Sequence, residues 1–276
     1  RVLSTLLIPG HNVHPSLLSS DGTMWVQAVR GYDNPARPDI YKTHPALVYG
    51  SPKGPLTLKK TGSASLGKGV FLPGTRQAVF IVSDKRRRYS VRSYDVARNK
   101  LSTTYVRPAK ARRRVPTDLA VSKDGKILAV GLGGKESGTV FYDVETGAKL
   151  GSHATGSEVT SVSFVGQELL FSDLDGRIYR WKLGNKKERS ARLLMKSRVR
   201  ILTMAVHPSG ASAIIGGMSG VHLVDLHNKK VRRKLLRSRA IDIRFSDDGN
   251  KVAIGTQKSL QLAKTPSVFV FVNSSP

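Results

Sequence analysis

The chain contains no cysteine, which excludes disulfide frameworks, thiolate metal sites and cysteine nucleophiles. Acidic residues are scarce: 19 Asp and Glu stand against 46 Lys and Arg, for a formal net charge of +27 over 276 residues. An ordinary soluble surface mixes the two signs far more evenly. No apolar run approaches about 18 residues, so no transmembrane helix is expected. Sustained helical periodicity is also missing, and aromatic residues make up only 7%. What is present is enough apolar material for a core. Hydrophobic residues are 39% of the chain, too many for a disordered basic tail.

The positive charge is concentrated. Residues 76–114 carry 13 basic and 2 acidic groups, and residues 182–239 carry 15 and 2. Between them, residues 115–181 carry 6 basic and 9 acidic groups, a net of −3. Charge adjusted only for solubility would be spread along the chain. Two cationic segments point instead to a surface that faces a polyanion.

A repeat organises the sequence. Short apolar strands end in Tyr94-Asp95, Tyr142-Asp143, Trp181-Lys182 and Val224-Asp225, at spacings of 48, 39 and 43 residues, and Leu262-Ala263 is a fainter copy. Each is preceded by two more strands joined by a turn. Leu119 to Val121 leads through Ser122-Lys123-Asp124-Gly125 to Ile127–Gly131. Met204 to Val206 leads through His207-Pro208-Ser209-Gly210 to Ala213–Gly217, and Ile243 to Phe245 through Ser246-Asp247-Asp248-Gly249 to Val252–Gly255. Asp-Gly and Ser-Gly pairs supply the positive φ of tight hairpins, and the apolar positions alternate with the period of a strand.

Strands at a period of about 40 residues are the signature of propeller blades. The Ser-Asp-Asp-Gly and Pro-Ser-Gly turns, with Tyr-Asp-Val, Trp-Lys-Leu and Val-Asp-Leu in place of a Trp-Asp dipeptide, resemble the WD-repeat family of β-propellers over residues 67–265. The family's opening Gly-His element is absent, which marks a divergent member. The resemblance implies an all-β fold, a single domain over 1–276 made of four-stranded blades. Thr23–Val29 and Ala46–Gly50 with Pro55–Leu58 are read as strands of two further blades, which makes seven in all, with six the alternative. Val268–Val272 is left over at the C-terminus, as a strand that closes the ring by pairing into the first blade.

Motifs for chemistry fail one by one. Gly62 to Lys68 fits seven positions of a phosphate-binding loop, but Gly69 stands where a Mg²⁺-binding Ser or Thr is needed, and a strand follows where a helix should. Gly131-Leu132-Gly133-Gly134 lacks the last glycine of a dinucleotide loop. The seven histidines are scattered; His11 with His14 and His222 with His227 are the nearest pairs, without a carboxylate cluster beside them. Asp173 with Asp175 and Asp247 with Asp248 fall at repeat turns, where Asp caps its own backbone. No enzyme, cofactor, metal or small-molecule substrate is therefore expected.

The basic clusters remain. Lys85, Arg86, Arg87 and Arg88 read as a hairpin tip, and Lys110, Arg112, Arg113 and Arg114 as a connection between blades. Lys186, Lys187, Arg189, Arg192, Lys196, Arg198 and Arg200 read as a long loop with a strand. Lys229, Lys230, Arg232, Arg233, Lys234, Arg237 and Arg239 read as the next connection. Following equivalent strands, these loops are expected to share one face. Arg forks suit phosphate oxygens, and phosphate contacts position a backbone without reading sequence. Tyr89, Tyr94 and Tyr105 are candidates for base stacking, with Tyr94 and Tyr105 assigned to the core. The expected function is a non-enzymatic scaffold in a ribonucleoprotein, ribosomal or ribosome-assembling, holding rRNA backbone and neighbouring proteins, with the acidic stretch 115–181 against a basic neighbour. The basic content, in a sequence that opens on Arg1, suggests an intracellular setting, mitochondrial or nucleolar. Two alternatives stand beside it. One is a protein-only scaffold on an acidic partner. The other is a membrane-surface propeller reading phosphoinositides, through Val231-Arg232-Arg233-Lys234, which lacks the terminal Gly of that family's motif.

Overall fold

The computed structural model describes residues 11–18, 25–32, 43–50, 57–60, 65–84, 86, 88–95, 98, 100–110, 113–182, 191–246, 248–256 and 267–272. Among them the protein is all-β, in antiparallel sheets whose strands follow one another in sequence order. Sheet 1 holds β1 (His11–Leu18), β2 (Trp25–Tyr32), β3 (Thr43–Gly50) and β4 (Thr57–Lys60). Sheet 2 holds β5 (Ser65–Phe71), β6 (Gln77–Ser83), β7 (Arg88–Asp95) and β8 (Lys100–Lys110). Sheet 3 holds β9 (Val115–Val121), β10 (Ile127–Gly133), β11 (Gly138–Asp143) and β12 (Lys149–Ala154). Sheet 4 holds β13 (Val159–Val165), β14 (Glu168–Asp173), β15 (Arg177–Lys182) and β16 (Arg192–Lys196). Sheet 5 holds β17 (Thr203–Val206), β18 (Ser212–Gly217), β19 (Gly220–Asp225) and β20 (Lys230–Leu236). Sheet 6 has three described strands, β21 (Ala240–Phe245), β22 (Lys251–Thr256) and β23 (Ser267–Val272).

The chain divides into two compact units, Arg1–Ala111 and Arg112–Pro276. In the first, β5 lies against β1, and sheet 2 is cored by Ala78, Val79, Phe80, Val91, Tyr94 and Val106, with Phe80 edge-on to Tyr94 at 6.2 Å. In the second, sheets 3 to 6 stack face to face in chain order. Corresponding positions of the first strands lie side by side. The Thr117 hydroxyl donates to the Val159 carbonyl at 2.5 Å, the Val162 N–H to the Asp118 carboxylate at 2.9 Å, and the Met204 N–H to Ser161 Oγ at 2.9 Å. The first strands therefore run the same way, and equivalent turns emerge at the same end of this unit.

The sequence explains the layering. Second strands are short runs of small and apolar residues, such as Ile127–Gly133 and Ser212–Gly217, and are almost wholly buried; a strand covered on both faces reads as a continuous apolar run. Fourth strands carry charge and are mostly exposed. Between sheets 3 and 4 the core is aromatic: Phe141, Phe171, Tyr179 and Trp181 pack together, Phe141 edge-on to Trp181 at 4.4 Å. Between sheets 4 and 5 it is aliphatic, with Leu170, Ile178, Ile201, Ile215 and Leu226 fully buried. Each such side chain contributes about 1.5–3 kcal/mol. The predicted hairpin turns form, with Gly125, Gly210 and Gly249 at φ 73° to 74°, where L residues with a Cβ are strained.

Four expectations are corrected. The strands ending in Tyr94-Asp95, Tyr142-Asp143, Trp181-Lys182 and Val224-Asp225 are third strands, not last ones; a fourth follows each. Those fourth strands were hidden in stretches read largely as basic connections, because an edge strand facing solvent has no apolar alternation to betray it. Residues 25–29, 46–50 and 57–58 belong to one sheet rather than two, so the described residues form six sheets where seven were expected. The C-terminal strand β23 pairs with β22 of its own sheet, Val252 opposite Phe271 and Ile254 opposite Phe269, taking the third position that Leu260–Ala263 was expected to fill. Leu260–Ala263 lies outside the described residues.

Candidate nucleic-acid interface

The predicted cationic residues fall in three kinds of place. Arg86 and Arg88 sit at the tip between β6 and β7, as expected. Arg113 and Arg114 precede β9, Arg198 and Arg200 join β16 to β17, and Arg237 and Arg239 join β20 to β21, so all six stand at one end of the second unit. Lys229 and Lys230 turn from β19 into β20 at the opposite end. Arg192 and Lys196 belong to β16, and Arg232, Arg233 and Lys234 to β20; Lys110 ends β8. Lys85, Arg87, Arg112, Lys186, Lys187 and Arg189 lie outside the described residues. Within the second unit, therefore, the cations do not share one loop type or one face. They occupy both ends and the outer strands between them, because half of what reads as loop is strand.

Internal acids neutralise some of this charge. Asp84 accepts from the Arg86 and Arg88 N–H groups and from Arg88 Nε at 2.7 Å; these contacts, the Arg88 N–H foremost, hold its carboxyl below the usual range. Glu136 receives Arg114 and Arg113, the latter at 2.6 Å, and their hydrogen bonds lower its pKa in turn. Asp225 caps the β19–β20 turn by accepting from the Asn228 N–H at 2.7 Å, and it also receives Arg232. The Asn228 contacts and then Arg232 depress its carboxyl strongly.

Sheets 4 and 5 are different. Their outer strands and the links after them hold Arg192, Lys196, Arg198, Arg200, Lys229, Lys230, Arg232, Arg233, Lys234, Arg237 and Arg239, all exposed. Among the described residues, nine of these eleven make no ion pair; Arg232 pairs with Asp225 and Arg192 has another interaction. Register sets cations against cations. Arg180, ion-paired to Glu168, faces Arg192, and Arg177, ion-paired to Asp173 and Asp175, faces Lys196 across β15 and β16. In the first unit Arg88 faces Lys110 across β7 and β8. Like charges directly opposite one another destabilise a sheet. Lysine on an edge does discourage strand-to-strand aggregation, but that purpose needs no stacking of cations on the strand behind.

Of the acids expected at turns, Asp173 and Asp248 accept from turn N–H groups, Asp175 pairs with Arg177, and Asp247 lies outside the described residues. Asp173 is fully buried and accepts from the N–H groups of Asp175 and Arg177, from Arg177 Nη1 at 3.2 Å and from the Tyr179 hydroxyl at 3.2 Å. Those donors spend the lone pairs of Asp173 on structure. Tyr94 and Tyr105 are core residues, as assigned, and Tyr89 is half-buried beside the β6–β7 tip. A cavity of about 390 Å³ at the end of sheet 3 is lined by Arg114, Lys135, Glu136, Lys149 and His153.

One feature escaped the sequence reading. Each described fourth strand of the second unit begins with a basic–aliphatic pair: Lys149-Leu150, Arg192-Leu193 and Lys230-Val231. Leu150 is 56% exposed, Leu193 55% and Val231 39%. Lys100-Leu101 opens β8 in the same way. The signal is the dipeptide itself, and it becomes visible only once the fourth strands are known.

The chain matches no known protein family, and no curated protein is detectably similar to it. Its function has to be argued from the surface. Along the outer strands of sheets 4 and 5 that surface is cationic and mostly without ion pairs among the described residues. Such an arrangement can neutralise an extended polyanion.

Proposed function

We propose that the protein is a non-enzymatic scaffold that binds RNA backbone, as a subunit of a ribonucleoprotein of ribosomal or ribosome-assembly type. The six sheets are read as blades of a divergent propeller of the WD-repeat kind, with four-stranded blades. The observation that supports the RNA reading is the placing of exposed cations on β16 and β20, of which Lys196, Lys230, Arg233 and Lys234 make no ion pair among the described residues. A phosphate backbone would supply anions to these four exposed cations. Arg198, Arg200, Arg237 and Arg239 extend the same surface around one end of the unit. Contacts of this type hold a backbone in place and carry no base sequence.

A second reading rests on a separate observation. The exposed Leu150, Leu193 and Val231, each beside a cation, suit an acidic protein neighbour with apolar side chains better than they suit phosphate. An assembly subunit has room for both kinds of partner, RNA along the cationic strands and protein at the ends where those strands begin. Nuclease treatment separates the two. RNA binding predicts that the natively purified protein loses ultraviolet absorbance near 260 nm and elutes later on gel filtration after nuclease. A protein complex unchanged in mass by nuclease supports the second reading and contradicts the first.

A further inference from the structure

Two connections of the second unit repeat one pattern. Arg198 and Arg200 flank Val199 just before β17, and Arg237 and Arg239 flank Ser238 just before β21. The first connection is pinned along its length. The Ser197 N–H donates to the Gly176 carbonyl at 2.7 Å, the Val199 N–H to Ser197 Oγ at 2.9 Å and the Leu202 N–H to the Gly216 carbonyl at 2.8 Å. Ser197 and Ile201 are buried, and Val199 packs against the core between sheets 4 and 5. Arg198 and Arg200 are left facing solvent from a fixed backbone.

Between these two connections stands the β18–β19 hairpin. Gly217 pairs with Gly220, so Met218 and Ser219 form its tip. Both glycines mark close approaches. A Cβ on Gly217 would lie 2.5 Å from the Arg200 carbonyl oxygen, and one on Gly220 would collide with the Leu236 carbonyl and lie 2.8 Å from Lys234 Cε. The tip is thus wedged between Arg200 on one side and, on the other, Lys234 and Leu236, which leads into Arg237. Met218 is 63% exposed, more than any other large apolar residue described. Arg198, Arg200, Lys234, Arg237 and Arg239 are exposed and make no ion pair among the described residues. Asp175, the carboxylate at the neighbouring β14–β15 tip, is held by Arg177 at 3.4 Å.

An apolar tip between two cationic shoulders matches an unpaired nucleotide run, which alternates charged phosphate with an apolar ring. Arginine forks take phosphate oxygens, and a thioether makes favourable contacts with aromatic rings. A duplex offers the same phosphates but keeps its bases stacked inside, which leaves Met218 without a partner. A protein partner would need a broader apolar centre than one methionine provides.

We propose that the β18–β19 tip is a seat for one unpaired base of RNA, with Met218 against the base and the flanking phosphates on the arginine pairs. This rests on the RNA-backbone reading above and adds that the RNA is single-stranded where it crosses this end of sheet 5.

The test uses the full chain, fluorescence anisotropy and two labelled probes of equal length, single-stranded oligouridylate and its duplex with oligoadenylate. Met218→Ser is expected to weaken single-strand binding roughly fivefold or more, the worth of one stacked base, and to leave duplex binding within about twofold. Equal losses for both probes overturn the seat. So does no loss for either, and a steep salt dependence of both would then leave the RNA reading standing. If neither probe binds at any salt concentration, the RNA reading falls and the seat with it. If polyglutamate binds instead and Met218→Ser weakens it, the tip takes an acidic protein and the proposal is overturned. Met218→Trp supplies a readout independent of affinity. Its emission is expected to be quenched by saturating oligouridylate beyond any change in the wild type, and to be unaffected by the duplex; no quenching at saturation overturns the seat. Both variants are expected to melt as the wild type does, because the side chain they replace is exposed.

Discussion

At the scale of single residues, the account turns on which polar groups are committed to structure. Asp173 is the clearest. It is fully buried and serves four donors, so Asp173→Ala strands the Tyr179 hydroxyl and the Arg177 guanidinium. A loss of roughly 3 kcal/mol in the free energy of urea unfolding is expected; a loss under about 0.5 kcal/mol would show that solvent replaces the carboxylate. The role of Asp173 as a cap was legible in Ser-Asp-Leu-Asp-Gly, because Asp in a turn satisfies its own backbone. The contribution of Tyr179, six residues on, was not, since it depends on the pairing of β14 with β15. Histidines give a pH signature. Burial lowers the pKa of His153, and burial with Lys234 lowers that of His222. The unfolded chain then takes up protons first as pH falls below about 6.5, and stability is full above that value and lost through it. The urea midpoint is expected to fall between about pH 7 and pH 5, and His153→Phe to flatten part of that fall. A further loss sets in below about pH 4, as the depressed carboxyl groups of Asp84, Glu136 and Asp225 finally protonate.

At the scale of strands and turns, the first three strands of the clearer repeats were readable because they are apolar and alternate, the first leading into an Asp-Gly or Ser-Gly turn. The fourth strands were not. Lys230-Val-Arg-Arg-Lys-Leu-Leu236 has five exposed residues and two register shifts against β19, so neither alternation nor burial marks it as a strand. The register is nevertheless tightly built at its far end. Gly220 has φ 127°, and a Cβ there would lie 2.2 Å from the Leu236 carbonyl. Gly220→Ala is therefore expected to destabilise the protein by roughly 2 kcal/mol or more, and a thermal melt unchanged from wild type would mean that β20 is not held as described. By contrast, Arg233→Gln with Arg237→Gln removes two charges that make no ion pair among the described residues. Its effect on stability is expected within about 0.5 kcal/mol, or slightly stabilising, while polyanion binding weakens.

At the scale of the whole chain, net charge of +27 resolves into a pattern. Near the β6–β7 tip and at the start of β9 the cations are answered by Asp84 and Glu136. Along sheets 4 and 5 most are not. Counting charge by segment located the second region from sequence alone, because only two acids occur in residues 182–239. What it could not show is that many of these cations stand on outer strands, with Arg180 opposite Arg192 and Arg177 opposite Lys196, since cross-strand neighbours are distant in sequence. The central claim is that this surface takes an RNA backbone by releasing counterions, and the salt dependence of binding tests it most directly. Affinity for a single-stranded oligouridylate, measured from 50 to 200 mM salt, is expected to fall by roughly a hundredfold or more if six or so phosphates are neutralised. A dissociation constant that changes by less than about threefold over that range would contradict the account.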